Sequence, residues 1–353
     1  MIRVLVADDS PTTRQWLVSI LREDPGIQVV GEACDGLEAV ELTLKLQPDI
    51  VSMDIVMPEL DGFEATRRIM SVIPTPIVIV SNISNVKEIR VTFQALKVGA
   101  LTVIKKPGGP GAVDNEKDSS IYVSTLKIMS QVKLLRRGRD PEKEKTTTAP
   151  RTITSKFPEG RRGRVVAIAA STGGPEALNR IFSELPGNFP APILVVQHLP
   201  DGFLQGCAAW MNENSPLRVK VAEEGESPEP GSVYLAGNGA HLGISDLSKL
   251  VNSSQDPVGG FRPSGTYLFE SAAKVFGSST LAMVLTGSGS DGVAGLKSVK
   301  AVGGWIMAQD EESSVVFETP GEAVKSGLVN LVLPLPEIAP LLIQIMSSEG
   351  GGK

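Results

Sequence analysis

Two groups of side chains in this 353-residue chain have the types and spacing that chemistry needs. The first is acidic. Asp8 and Asp9 directly follow an apolar run at 2–7, and Asp54 follows another at 49–53. Ser81 closes the run 76–80, and Lys106 closely follows the run 101–104. If these runs are parallel strands, their carboxyl ends share one edge, where ligands bind. Three carboxylates converging there would repel and raise one another's pKa. A hard cation resolves the conflict, and Mg²⁺ suits a few carboxylates, water and a phosphate oxygen. Asp54 would then be a nucleophile for a phosphoryl group, beside the Ser81 hydroxyl and the Lys106 ammonium. The alternative, acidic helix caps, does not explain why five polar groups all fall at strand ends.

The second group is sparser. The chain has only two histidines, His198 and His241. His241 lies in the turn-like Gly237-Asn238-Gly239-Ala240-His241 and reads as structural. His198 follows the run Ile193–Gln197. Ser171 follows Val165–Ala170 and precedes Thr172-Gly173-Gly174-Pro175, whose glycines permit a tight turn and whose proline suits a first helical turn. Asp291 follows Leu281–Thr286 and a Gly-Ser-Gly-Ser stretch. Serine, histidine and aspartate at three strand ends are what acyl transfer requires: nucleophile, base and orienting acid. The helix start after Ser171 and the backbone near 287–289 offer oxyanion donors. One rival reading uses the same residues. Gly287-Ser288-Gly289-Ser290-Asp291-Gly292 fits a dinucleotide fingerprint, with Asp310 placed as a ribose-binding acid. It would set the Asp291 charge against a pyrophosphate and leaves Ser171 and His198 unexplained.

The elements that must position these groups alternate. Strands are predicted at 2–7, 27–31, 49–53, 76–80 and 101–104, with helices at 12–23, 37–47, 62–71, 86–97 and 119–136. The rhythm resumes with strands at 164–170, 192–197, 232–236, 280–286, 304–308 and 328–333, and helices at 174–185, 202–213, 265–276, 291–302 and 319–326. Alternation of this kind implies two doubly wound, open parallel-sheet α/β domains, one flavodoxin-like and one Rossmann-like. Residues 138–163 carry charge, Thr and Pro with few large apolar side chains, so they read as a polar linker between domains at 1–137 and 164–348. A net charge of −6 weighs against nucleic acid as a partner. Two unspaced cysteines, Cys34 and Cys207, no leader-like N-terminus and no apolar run near ~18 residues point to the cytoplasm without membrane insertion.

Residues 1–125 resemble a response-regulator receiver domain through Asp8-Asp9-Ser10, Met53-Asp54-Ile55-Val56-Met57-Pro58, Asp61-Gly62, Ser81 and Lys106-Pro107. The resemblance implies that Asp54 takes phosphate from a partner histidine kinase. It also implies that Asp9, Asp54 and the Val56 carbonyl hold Mg²⁺, with Asp8 assisting. Residues 164–345 resemble the catalytic domain of the chemotaxis protein-glutamate methylesterases. The matching runs are Ala170–Pro175, Gln197-His198-Leu199-Pro200, Arg262-Pro263-Ser264, Leu285-Thr286-Gly287 with Asp291-Gly292, and Ala308–Glu311. This implies Ser171 as nucleophile, His198 as base and Asp291 as its acid, acting without a cofactor on glutamate methyl esters of chemoreceptors and on glutamine amides. The chain departs from the family pattern at Phe261, Thr266, Ser288 and Glu318-Thr319. A receptor-binding adaptor without catalysis is the reading from another class, and methanol release separates the two.

Overall fold

The computed structural model describes residues 1–82, 86–109, 111–112, 115–132 and 163–346. The predicted linker, apart from Gly163, lies outside the described residues, as do the last residues of both predicted domains. The described residues form two compact units, one ending at 132 and the other beginning at 163.

The first unit runs β1 Ile2–Ala7, α1 Pro11–Arg22, β2 Ile27–Ala33, α2 Gly36–Leu46, β3 Ile50–Met53, α3 Gly62–Val72, β4 Ile77–Ser81, α4 Val86–Lys97, β5 Thr102–Lys105 and α5 Asn115–Met129. Its sheet order is β2-β1-β3-β4-β5, parallel throughout. β3 and β4 are buried along their whole length, as apolar runs covered on both faces must be. Three helices start on side-chain caps: Ser10 accepts from Thr13 N, Asp35 from Glu38 N and Asp61 from Glu64 N. Strand order reverses at β1, so the β1–β3 edge is the switch point where a ligand crevice opens. α5 covers 115–129 rather than 119–136. It ends in turn bonds from Ser130 N to Leu126 O and Gln131 N to Ile128 O.

The second unit runs β6 Val165–Ala170, α6 Gly174–Glu184, β7 Ile193–Gln197, α7 Leu204–Glu213, β8 Arg218–Val221, β9 Ser232–Leu235, β10 His241–Ile244, β11 Leu250–Ser253, α8 Gly265–Phe276, β12 Thr280–Val284, α9 Leu296–Ala301, β13 Trp305–Gln309, α10 Glu318–Lys325, β14 Leu331–Leu333 and α11 Leu335–Met346. Seven strands pair in parallel in the order β14-β13-β12-β6-β7-β9-β8. β6 alternates its faces: Val165, Ala167 and Ala169 meet Leu268, Phe269 and Phe276 of α8 in one core. The chain winds one way from β6 through β7 and the other way through β12. The crevice therefore opens where β6 meets its neighbours.

The sequence reading missed β8, the antiparallel β10–β11 hairpin and α11. It placed His241 in a turn, whereas this residue opens β10 and is fully buried, stacked on Tyr267 at 4.8 Å. The helix predicted at 291–302 covers only 296–301.

Candidate phosphoacceptor pocket and active site

At the carboxyl edge of the first sheet, oxygen atoms of Asp8, Asp9 and Asp54 all lie within 4.8 Å of one another. Lys106 Nζ stands 2.6 Å from Asp54 Oδ2 and 2.7 Å from Asp8 Oδ2. Burial drives the Asp54 carboxyl up to about 6, although the Lys106 charge pulls the other way. Burial also opposes the charge on Lys106, but Asp54 and Asp8 outweigh it and raise the ammonium's pKa. Two buried carboxylates thus share one ammonium beside a third, exposed carboxylate at Asp9. This set of hard oxygens with surplus negative charge fits Mg²⁺. Val56 is exposed, and its carbonyl accepts no backbone hydrogen bond among the described residues, so it is free to join the set. Ser81 is buried at the end of β4, with its hydroxyl donating to Asn82 O at 3.3 Å rather than to Asp54. Gly62 is required for space: a Cβ there would overlap the Asp54 carbonyl.

In the second unit Asp291 contacts His198, and Ser171 and His198 follow adjacent paired strands. Ser171 leaves β6, with its N–H bonded to Thr286 O of the neighbouring chain segment. His198 leaves β7, with its N–H bonded to Ala170 O. Asp291 reaches His198 from the loop after β12: Nε2 to Oδ2 is 3.1 Å. The same Nε2 lies 3.3 Å from Pro263 O. Two acceptors at Nε2 require the proton there, which leaves Nδ1 as the ring's acceptor. Among the described residues no hydrogen bond joins the Ser171 hydroxyl to the ring, and such bonds often tighten only with substrate.

Asp291 is held on every side. Ser264 Oγ donates at 2.7 Å, Gly265 N at 2.6 Å, Gly292 N at 2.9 Å and Thr266 N at 3.3 Å. Burial would raise its pKa, but the bonds from His198, Ser264 and Gly265 prevail and lower it below the ordinary carboxylate range. Asp291 is therefore an ionised, fixed partner for the imidazole. Gly173 takes a left-handed φ of 80° ahead of α6, and the Thr172 and Gly173 N–H groups carry no hydrogen bond among the described residues. Gly287 lets the β12 loop close on the serine: an ideal Cβ there would come within 2.7 Å of Ser171 Cβ.

The same geometry dismantles the dinucleotide reading. The glycine run does not open a helix, since α9 starts at Leu296, so no helix terminus faces a pyrophosphate. Asp291 is committed to His198, and Asp310 Oδ1 accepts from Ser313 N and Oγ.

Residues 166–342 match the CheB methylesterase family, and residues 4–115 match the response regulator receiver domain. The chain is 48 % identical over 350 residues to a Myxococcus xanthus protein named protein-glutamate methylesterase/protein-glutamine glutaminase 4, covering 99 % of this chain and 98 % of that one. An Anaeromyxobacter dehalogenans protein of the same name, numbered 3, is 46 % identical over 97 % of this chain and 98 % of its own. This chain belongs to the CheB methylesterase family. The crystal structure of the Thermotoga maritima CheB methylesterase catalytic domain matches with a TM-score of 0.50 and 41 % identity, covering 52 % of this chain and 98 % of that one.

Within this CheB-family chain, Phe261, Ser288, Thr319 and Thr266, read from the sequence as departures from the family pattern, lie close to the residues around Ser171, His198 and Asp291. Phe261 stacks on the His198 ring at 5.0 Å and 13°. It is presented by a two-residue turn at Gly259-Gly260, both with positive φ, closed by reciprocal bonds between Val258 and Phe261. Ser288 Oγ lies 3.4 Å from Thr172 Oγ1. Thr319 N donates to Gly287 O at 2.9 Å. Thr266 accepts from Gly292 N at 3.2 Å through its hydroxyl. The sequence reading quoted Ser264 as part of a motif without giving it a role. Its signal was there: a serine before a helix is a cap, and Ser264 caps α8 while serving Asp291. No helix among the described residues is long and apolar enough to cross a membrane.

Proposed function

We propose that this chain hydrolyses glutamate methyl esters on chemoreceptor signalling helices, with phosphorylation of Asp54 as its control. The observation that carries the reading is the imidazole of His198, its Nε2 3.1 Å from the Asp291 carboxylate, at the strand edge that also bears Ser171. Ser171 Oγ attacks the ester carbonyl while His198 Nδ1 takes its proton. The Asp291 charge stabilises the imidazolium. The Thr172 and Gly173 N–H groups receive the oxyanion. His198 then returns the proton to the departing methoxide, which leaves as methanol. Water attacks the acyl-serine with the same base, releasing glutamate and restoring Ser171. Glutamine amides follow the same path with ammonia as leaving group, which is the second activity in the names of the relatives.

In the first unit, Asp54 is the phosphoacceptor and a histidine kinase the donor. Asp8, Asp9, Asp54 and the Val56 carbonyl would hold Mg²⁺. The ion supplies charge that steadies the phosphoryl oxygens, alongside Lys106 and Ser81. We assign the receiver to 1–137, the linker to 138–163 and the esterase to 164–348. This function belongs to the cytoplasm. The test is methanol release from methylated receptor. Ser171→Ala and His198→Ala should each lower the rate by several orders of magnitude, with the double variant little worse. Receptor binding without methanol release by the wild-type chain would replace hydrolysis with an adaptor role.

A further inference from the structure

Gln197 ends β7 and is 3 % exposed. Its carboxamide nitrogen donates to Ser171 O at 2.9 Å and to His198 O at 2.9 Å. Two carbonyl oxygens can be bridged this way only by a group with two N–H donors, so the sense of the amide is dictated by its partners. Its Oε1 is buried with no hydrogen-bond partner. An orphaned buried acceptor is normally selected against, so something else holds the amide in place. A glycine makes room for it: a Cβ on Gly174 would overlap Gln197 Oε1. The two glycines after Ser171 thus have different reasons, Gly173 for its φ and Gly174 for this amide.

We propose that Gln197 is a positioning residue that aims an oxyanion donor, an inference that rests on the serine-hydrolase reading above. The Ser171 carbonyl and the Thr172 N–H belong to one planar peptide and point in opposite directions. Gripping the carbonyl from below, together with Gly174 N at 2.8 Å, therefore turns the Thr172 N–H outward. Thr286 Oγ1 treats the next peptide alike, donating to Thr172 O at 2.9 Å and so orienting the Gly173 N–H. The second Gln197 bond fastens the same amide to the turn that carries His198. The nucleophile's peptide, the base's turn and the Thr172 N–H are thereby tied by one side chain.

The experiment compares the full chain with Gln197→Met and Gln197→Glu. It reads kcat and KM for methylated receptor and the rate at which a small fluorophosphonate labels Ser171. Met keeps the bulk and removes the donors. Its kcat should fall about 10–100-fold, below the full loss of an oxyanion donor, with KM within about twofold and labelling slowed by the same factor. Ionised Glu sets a third acceptor against two carbonyls. Protonated Glu regains one donor. The activity of Gln197→Glu relative to wild type should therefore climb as pH falls, which a packing role does not produce. Labelling and kcat of Gln197→Met within twofold of a reactive wild type would overturn this inference alone. So would a pH-independent ratio for Gln197→Glu. A wild-type Ser171 that never takes the probe would overturn the serine reading and this inference together.

Discussion

Replacing Asp54 by Asn should stabilise the first unit, and the gain should depend on pH in a specific way. Asp54 is buried, and its carboxyl titrates near 6 instead of 3.8. The folded state therefore holds this proton more tightly than the unfolded chain. Stability from that proton is complete below the unfolded pKa and is lost as pH rises through about 6. Two pKa units correspond to about 3 kcal/mol, at 1.36 kcal/mol per unit. Asparagine keeps the shape, and Lys106 keeps Asp8 at 2.7 Å, so no charge is orphaned. At pH 7.5 with a chelator present, Asp54→Asn should thus melt on the order of 10 °C higher in this unit. The gap should close toward pH 4. Mg²⁺ should narrow it from the other side, since an ion bound to the folded wild type stabilises it by mass action. Scanning calorimetry of the full chain at several pH values, with the receiver transition recognised by its response to Mg²⁺, provides the measurement. An Asn variant less stable than wild type at pH 7.5, or a gap that ignores pH, would refute the claim that ionised Asp54 burdens the fold.

Three further outcomes are expected. Ser264→Ala removes the 2.7 Å donor to Asp291 and a helix cap, so kcat should drop about tenfold and the second unit should lose about 1–2 kcal/mol, read by steady-state kinetics and denaturant melts. Gly62→Ala should prevent stable folding of the first unit, seen as loss of its melting transition, because the added methyl meets backbone rather than a movable side chain. A fragment beginning at Arg164 should release methanol faster than the unphosphorylated full chain, and a phosphodonor with Mg²⁺ should raise full-length activity but not that of Asp54→Asn, with coupling of about 5–150-fold.

The residues at strand ends were legible because an apolar run followed at once by Asp, Ser or His has one natural reading in a parallel sheet: the polar group stands at the carboxyl edge. That logic located Asp8, Asp54, Ser171 and His198 without knowledge of strand order. Asp291 was legible by type, but its supports were not. Ser264, Gly265 and Thr266 reach it across a loop junction, and no local periodicity records a contact between loops. The β10–β11 hairpin escaped because its strands have four residues each, too few to display alternation. α11 was missed as well; it carries Pro336 in its first turn, where proline fits a helix, and Pro340 in its interior, where proline usually does not. The glycine run at 287–292 misleads for the opposite reason. Its spacing satisfies one motif while its backbone serves another end, letting Gly287 crowd Ser171.

The order β12-β6-β7 has a kinetic corollary. Ser171, His198 and Asp291 hang on three adjacent strands that are distant along the chain, and each parallel pairing needs a crossover before it can form. Chain entropy must be surrendered for both pairings before the whole Ser171–His198–Asp291 group exists. During refolding, helix signal and collapse should therefore return first and ester hydrolysis last, which makes turnover a reporter of the final strand docking.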